Sequence, residues 1–218
     1  APPPLPLRVL FVTSLPPNSG SQLIDIEKEE EEILRVIEKA NKYIVHALKD
    51  LPSKRRILIE FIEIGSLLTI KKALEAGKHH ILHISGHGFF YNKEGVGYLN
   101  LEREDGSLHQ VSAEKLADMI SGFNTHLKLV YLSSCETGRF EDKSIAGALI
   151  KQGVPIVIGM RYTISDSAAI LFAQVFYEQL CIGNTFAEAI FYARKAVYQA
   201  RCQKNETTKS LLPNSEWY

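Results

Sequence analysis

The chain reads as an α/β protein, with a mostly parallel central sheet, helices on both faces and a small hairpin insertion. Three observations carry that reading. Short apolar runs such as Val9-Leu10-Phe11-Val12 have the length and continuity of strands buried on both faces. Segments of helical spacing alternate with these runs, which is the order of a parallel sheet rather than of a strand meander. A length of 218 residues with 45% hydrophobic content is enough to bury a sizeable core.

Arg8 to Thr13 is the first strand, and Ser14 to Gln22, with two prolines and a glycine, is a loop. From Ile24 to about Lys49, apolar residues at Ile33, Ile37, Ala40, Ile44 and Leu48 recur at helical spacing. The acidic run Glu27 to Glu32 falls in the first turns of this helix, where the dipole favours negative charge, and reads as a solvated helix start. Ile57 to Ile62 is a second strand, and Leu67 to Ala76 a helix closed by Gly77. His80 to Ile84 is a third strand that ends in the turn Ser85-Gly86-His87-Gly88.

Gly97 to Leu101 and Ser107 to Val111 flank Asp105-Gly106, the pairing of a tight hairpin. Ser112 then caps a helix running to Ile120, with Gly122 behind it. Leu127 to Leu132 is the fourth strand, Lys143 to Lys151 a helix and Pro155 to Ile158 the fifth strand. Two helices follow, Asp166 to Leu180 and Thr185 to Arg201. This divides the chain into a linker stub at 1–7, one domain at 8–202 and a polar tail at 203–218.

Composition excludes several function classes. Lys plus Arg (25) balances Asp plus Glu (25), so no overall field draws a polyanion and direct nucleic-acid binding is not expected. Cys135, Cys181 and Cys202 are odd in number and widely spaced, which argues against a disulfide framework and for a reducing, cytoplasmic setting. Ala1-Pro2-Pro3-Pro4-Leu5-Pro6 has neither a basic nor an apolar region, so no signal peptide or membrane span is expected. There is no phosphate-cradling glycine motif, and no cofactor is expected.

His87 and Cys135 each follow an apolar run read as a buried strand. If those strands are neighbours, both side chains leave the sheet at one edge, where α/β folds carry reactive groups. The chemistry would be that of a Cys-His dyad, because attack on a carbonyl needs a thiolate and an adjacent imidazole generates it. The N–H groups of Gly88 and Cys135 are candidates for an oxyanion hole, and Ser85, Ser133 and Ser134 keep the surroundings small. The plainer reading makes Cys135 a buried structural thiol, as Cys181 and Cys202 are read. His83 is a core residue or one that orients His87. The spacing of His83 and His87 suits zinc only on a helix, so no metal is expected.

The stretches His83-Ile84-Ser85-Gly86-His87-Gly88 and Leu132-Ser133-Ser134-Cys135-Glu136-Thr137-Gly138 resemble the histidine and cysteine motifs of CHAT domains, caspase-like cysteine peptidases of the caspase and separase clan. The interval of 135 − 87 = 48 residues is similar to that of caspases. Weaker matches are Arg8 to Val12, Gly153 to Met160, Ile164-Ser165-Asp166, Phe176-Tyr177 and Ala187 to Arg194. The resemblance implies a three-layer caspase-like fold over 8–202 and a peptidase with His87 as base and Cys135 as nucleophile. It also implies a larger parent protein with regulatory repeats. Two departures stand out: Arg161 occupies a place where Gln or Trp is expected, and the chain stops at Trp217-Tyr218, where relatives continue into a closing strand.

Asp166 has two readings. It forms the floor of a pocket for a basic substrate side chain, or it or Ser165 caps the following helix; Glu136 and Asp142 are weaker candidates for the acidic role. The expected function is a cysteine endopeptidase that cleaves a specific protein substrate after a basic residue and is gated by a regulatory region or partner. The alternatives are a catalytically silent scaffold of the same fold and a thiol-dependent hydrolase of small molecules.

Overall fold

The structure is a computed structural model and describes residues 6–17, 26–47, 57–139, 142–161 and 165–208. The chain divides into two compact units: a sheet unit of residues 4–26 and 57–164, and a helical unit of residues 1–3, 27–56 and 165–218.

The sheet unit holds β1 (Leu7–Ser14), β2 (Ile57–Ile62), β3 (Ile81–Tyr91), β4 (Val96–Glu102), β5 (Leu108–Ser112), β6 (Leu129–Ser133) and β7 (Val157–Gly159). The strands β2, β1, β3, β6 and β7 lie side by side and all parallel. β4 and β5 form an antiparallel ribbon attached to the second half of β3. The fold is therefore α/β and mostly parallel, with the hairpin expected from Asp105-Gly106. That turn is closed by the Gly106 N–H donating to the Arg103 carbonyl at 2.9 Å and the Ser107 N–H to the Asp105 carboxylate at 2.9 Å.

Burial on both faces explains the continuous apolar runs. Leu10, Val12, Leu82, Ile84, Val130 and Leu132 face one way, into a core shared with Ile70, Leu116 and Leu149. These last come from α2 (Leu67–Ala76), α3 (Ala113–Ser121) and α4 (Ile145–Lys151). The alternate residues Phe11, His83 and Tyr131 face the other way and are fully buried. The His83 ring lies 4.0 Å from that of Tyr131, stacked, and 4.4 Å from that of Phe11. Ser66, Ser112 and Ser144 start the three helices, each accepting a backbone N–H of the first turn; such caps are worth about 1 kcal/mol each.

The helical unit holds α1 (Ile26–Ala47), α5 (Asp166–Cys181) and α6 (Phe186–Thr208), with α5 packed on α6. Its buried side chains include Ile33 and Ile37 of α1, Phe172, Phe176 and Tyr177 of α5, and Ala189, Ala193 and Val197 of α6. Thr185 and Glu188 form a reciprocal cap at the start of α6, the Thr185 N–H donating to the Glu188 carboxylate at 2.8 Å. Among the described residues, no helix is long and apolar enough to cross a membrane.

Three expectations are corrected. The largest concerns β3, which does not end at Ile84 but runs unbroken to Tyr91. Its first half pairs with β1 and β6; from His87 onward it pairs with β4, so the strand continues through Phe89 to Tyr91. The glycines on either side of His87 serve close approach instead of a turn. A Cβ on Gly86 would stand 2.7 Å from the Ser14 carbonyl oxygen, and one on Gly88 the same distance from that of Cys135.

α6 continues to Thr208, past the expected end at Arg201, because its polar final turns propagate the helix without an apolar stripe to mark them. The fifth strand lies at Val157–Gly159, two residues beyond the expected start at Pro155, because proline has no N–H to give a ladder. The loop after Pro17, the ends of the expected first helix and the segment around Trp217-Tyr218 lie outside the described residues.

Candidate active site

The pairing of β3 with β6 runs from Ile81↔Leu129 to Ser85↔Ser133, a constant offset of 48 residues. His87 and Cys135 have that same offset, each two residues beyond the last pair. The two residues thus stand the same number of positions past the last pair of two adjacent parallel segments. His87 lies within the strand, opposite Asn100 of β4, whereas Cys135 opens the loop that leaves β6. Both are partly exposed.

Beyond Ser85, one edge of β3 is taken by β4 and the other by the Cys135 loop. Gly88 abuts that loop: a Cβ there would come within 2.7 Å of the Cys135 carbonyl oxygen and 2.8 Å of Thr137 Cγ2. The Phe90 N–H also points to the loop, donating to the Glu136 carboxylate at 3.1 Å. Backbone N–H groups two residues apart leave a strand on the same side. The Gly88 N–H therefore faces the Cys135 loop as well, the orientation an oxyanion donor needs.

The loop is pinned at several points. The Thr137 hydroxyl donates to the Ser134 carbonyl at 2.8 Å and accepts the Met160 N–H at 3.3 Å. The Gly138 N–H donates to the Met160 carbonyl at 2.9 Å. Arg139 donates to the Glu136 carboxylate at 2.7 Å and to Asn92 at 2.8 Å, and its guanidinium lies 4.9 Å from the Phe90 ring centre. Glu136 has φ 56°, the one left-handed non-glycine residue among the described residues, a conformation that costs about 1–3 kcal/mol and persists only where contacts hold it. The Ser134 hydroxyl is buried and has no hydrogen-bond partner among the described residues.

The remaining candidates fall elsewhere. His83 is a core residue; four residues along an extended strand is about 13 Å, too far for it to hold the His87 ring. Asp166 is the exposed first residue of α5, in the helical unit. Ser165 occupies the cap position but makes no capping bond through its side chain, which lies 3.3 Å from the Ser167 hydroxyl instead. Asp142 is exposed and pairs with Lys151 at 3.1 Å. Burial first, and the Glu178 carboxylate second, push the Cys181 thiol up to about 12, so it is protonated at neutral pH and structural, as expected. Among the described residues, no group of three or more His, Cys, Asp or Glu is placed to hold a metal ion.

Sequence reasoning missed Glu136 as a latch, Asn100 as the residue opposite His87, and the aromatic residues that continue β3. The Phe89 and Tyr91 alternation signalled a strand, but Gly88 read as its end.

Together these features define an α/β domain with a histidine within one strand and a cysteine in the loop that leaves its parallel neighbour. The family of CHAT domains matches residues 13–213, and the chain belongs to that family. No curated protein matches the chain. Among solved structures, the Drosophila initiator caspase Dronc overlaps at a TM-score of 0.49 and 10% identity, covering 87% of this chain and 72% of that one. Pyridoxal kinase from Lactobacillus plantarum overlaps at a TM-score of 0.42 and 11% identity, covering 97% and 92%. RosB overlaps at 0.40 and 9%, covering 96% and 92%. None of these overlaps reaches a TM-score of 0.5, and no chemistry follows from them.

Proposed function

We propose that this CHAT domain is a cysteine endopeptidase in which His87 activates Cys135. The observation that carries the reading is the β3–β6 register, whose offset of 48 residues is also the separation of His87 and Cys135, each two residues past the Ser85↔Ser133 pair. The His87 imidazole takes the Cys135 thiol proton, and the thiolate attacks the scissile carbonyl carbon. The oxyanion that forms accepts the N–H groups of Gly88 and Cys135, a pair supported by the direction of the Phe90 N–H; one such donor is worth about 3 kcal/mol in the transition state. The imidazolium then gives its proton to the departing amine. Water, deprotonated by the same imidazole, hydrolyses the thioester and releases the acyl half as a carboxylate.

The substrate is a specific protein, cut after a basic residue, and a regulatory region or partner gates the activity. Asp166, exposed at the start of α5, is open to a basic side chain. The test is a search for new protein termini generated by the full-length parent protein and by its Cys135→Ala and His87→Ala variants. The reading requires termini after Lys or Arg that vanish in both variants; termini that persist in Cys135→Ala would refute the nucleophile.

A further inference from the structure

The ribbon formed by the second half of β3 with β4 and β5 has two unlike faces. Leu99, Leu101 and Val111 point into the core, and Phe90 is buried beside the Arg139 guanidinium. The other face carries His87, Phe89 and Tyr91 in alternation along β3, with Asn100 and Tyr98 opposite the first two and Gln110 opposite Asn100. Three rings cluster there. Phe89 and Tyr98 stack at 5.5 Å with an interplanar angle of 9°, and Tyr91 stands edge-on to both, at 5.5 and 6.0 Å.

Tyr91 is 52% exposed, so this cluster is not a core element that happens to lie near the surface. A cleft of about 300 Å³ is lined by Phe89, Phe90, Tyr91, Asn100 and Gln110. Within the ring cluster the Tyr98 hydroxyl donates to the Glu94 carboxylate at 3.3 Å. The Tyr98 phenol is held up by burial first and then by the Glu94 carboxylate, with a further contribution from Glu114. The Arg139 guanidinium is engaged by Glu136 and Asn92.

We propose that this aromatic face is the subsite for the leaving half of the substrate, and that it takes a lysine or arginine side chain from the first or second residue after the scissile bond. The inference rests on the peptidase reading for its orientation. Because His87 must hand its proton to the departing amine, the leaving half exits on the His87 side. Phe89 follows His87 on the same face by two residues, about 7 Å, which is the reach of one or two residues of an extended peptide. Ring faces accept a cation and the aliphatic stem beneath it, and the Glu94 carboxylate supplies the opposite charge.

The test uses the 218-residue protein and fluorogenic peptides with arginine before the bond and Lys, Leu or Glu at each of the two positions after it. An arginyl aminocoumarin amide, which has no leaving-side residue, is measured in parallel. The Lys peptides should be cut fastest, and both Tyr91→Ala and Glu94→Gln should lower the ratio of Lys-peptide to amide turnover about tenfold. Binding of the same peptides to the Cys135→Ala protein is measured as well, with and without Tyr91→Ala, and tighter binding of Lys than Glu peptides should depend on Tyr91.

Turnover of the amide with no Lys preference, or with a Leu preference, would overturn the subsite. No turnover at all, with a Tyr91-dependent Lys preference in binding, would support the basic-residue site by itself, and the peptidase reading is then decided by the new termini made by the full-length parent protein. Neither turnover nor a Lys preference in binding would overturn the subsite.

Discussion

The Glu136 carboxylate accepts the Phe90 backbone N–H at 3.1 Å, tying the residue after Cys135 to the strand that carries His87. The tie offsets the cost of the left-handed backbone at Glu136, and it fixes the Cys135 N–H relative to that of Gly88. In the proposed mechanism Glu136 is a positioning residue, and replacing it should act on the rate rather than on substrate binding. Glu136→Ala is expected to lower kcat by about 10²-fold with little change in KM, as displacement of a catalytic group by about 1 Å does. Glu136→Gln, which keeps a carbonyl oxygen for Phe90, should recover most of the loss in steady-state kinetics.

Gly88→Ala should damage activity more than stability. Its Cβ would meet the Cys135 carbonyl at 2.7 Å, a backbone atom, so the loop itself must move. Overpacking of this kind costs about 1–3 kcal/mol, a fall in Tm of several degrees for a chain of this length. The expected outcome is a folded protein by circular dichroism whose kcat/KM has dropped at least about 10²-fold.

The cysteines should separate by alkylation. With its thiol pushed up to about 12, Cys181 has a thiolate fraction of about 10⁻⁴ at pH 8. Iodoacetamide at that pH, followed by peptide mass spectrometry, should modify the partly exposed Cys135 and leave Cys181 intact until the protein is unfolded.

Acid should weaken the sheet unit through His80. Its Nδ1 accepts the Arg8 N–H at 3.0 Å, and burial first, then the Arg8 charge, lowers its pKa from the ordinary 6.5. The unfolded chain therefore binds the proton more readily than the folded one, and stability present above pH 6.5 is lost as pH falls from there toward the folded value. His109, lowered by burial and by Lys115, acts in the same direction. The drop in Tm between pH 7.5 and 5.5 should be smaller in His80→Asn, whose Oδ1 can still accept from Arg8.

Much of this architecture was legible because burial on both faces writes itself as uninterrupted apolar runs. The run from Val9 to Val12 located β1 to within a residue at each end, and Ser112 and Gly122 bracketed α3 as read. His87 and Cys135 were legible as motifs, and the matching offset became visible only with the β3–β6 register. The second half of β3 was not legible, because Gly86 and Gly88 carry the local signature of a turn while their actual cause is contact with Ser14 and Cys135. The Glu136 latch was invisible for a similar reason: its partner Phe90 lies 46 residues away, and nothing local to either residue announces the contact.

The most direct measurement is covalent labelling of Cys135 by a peptidyl electrophile ending in arginine, followed by mass spectrometry of the intact and digested protein. A single adduct on Cys135, formed at least about 10²-fold more slowly in His87→Ala, is the result predicted here. An adduct that forms equally fast without the imidazole, or a Cys135 that stays unmodified in the full-length parent protein, would contradict the dyad.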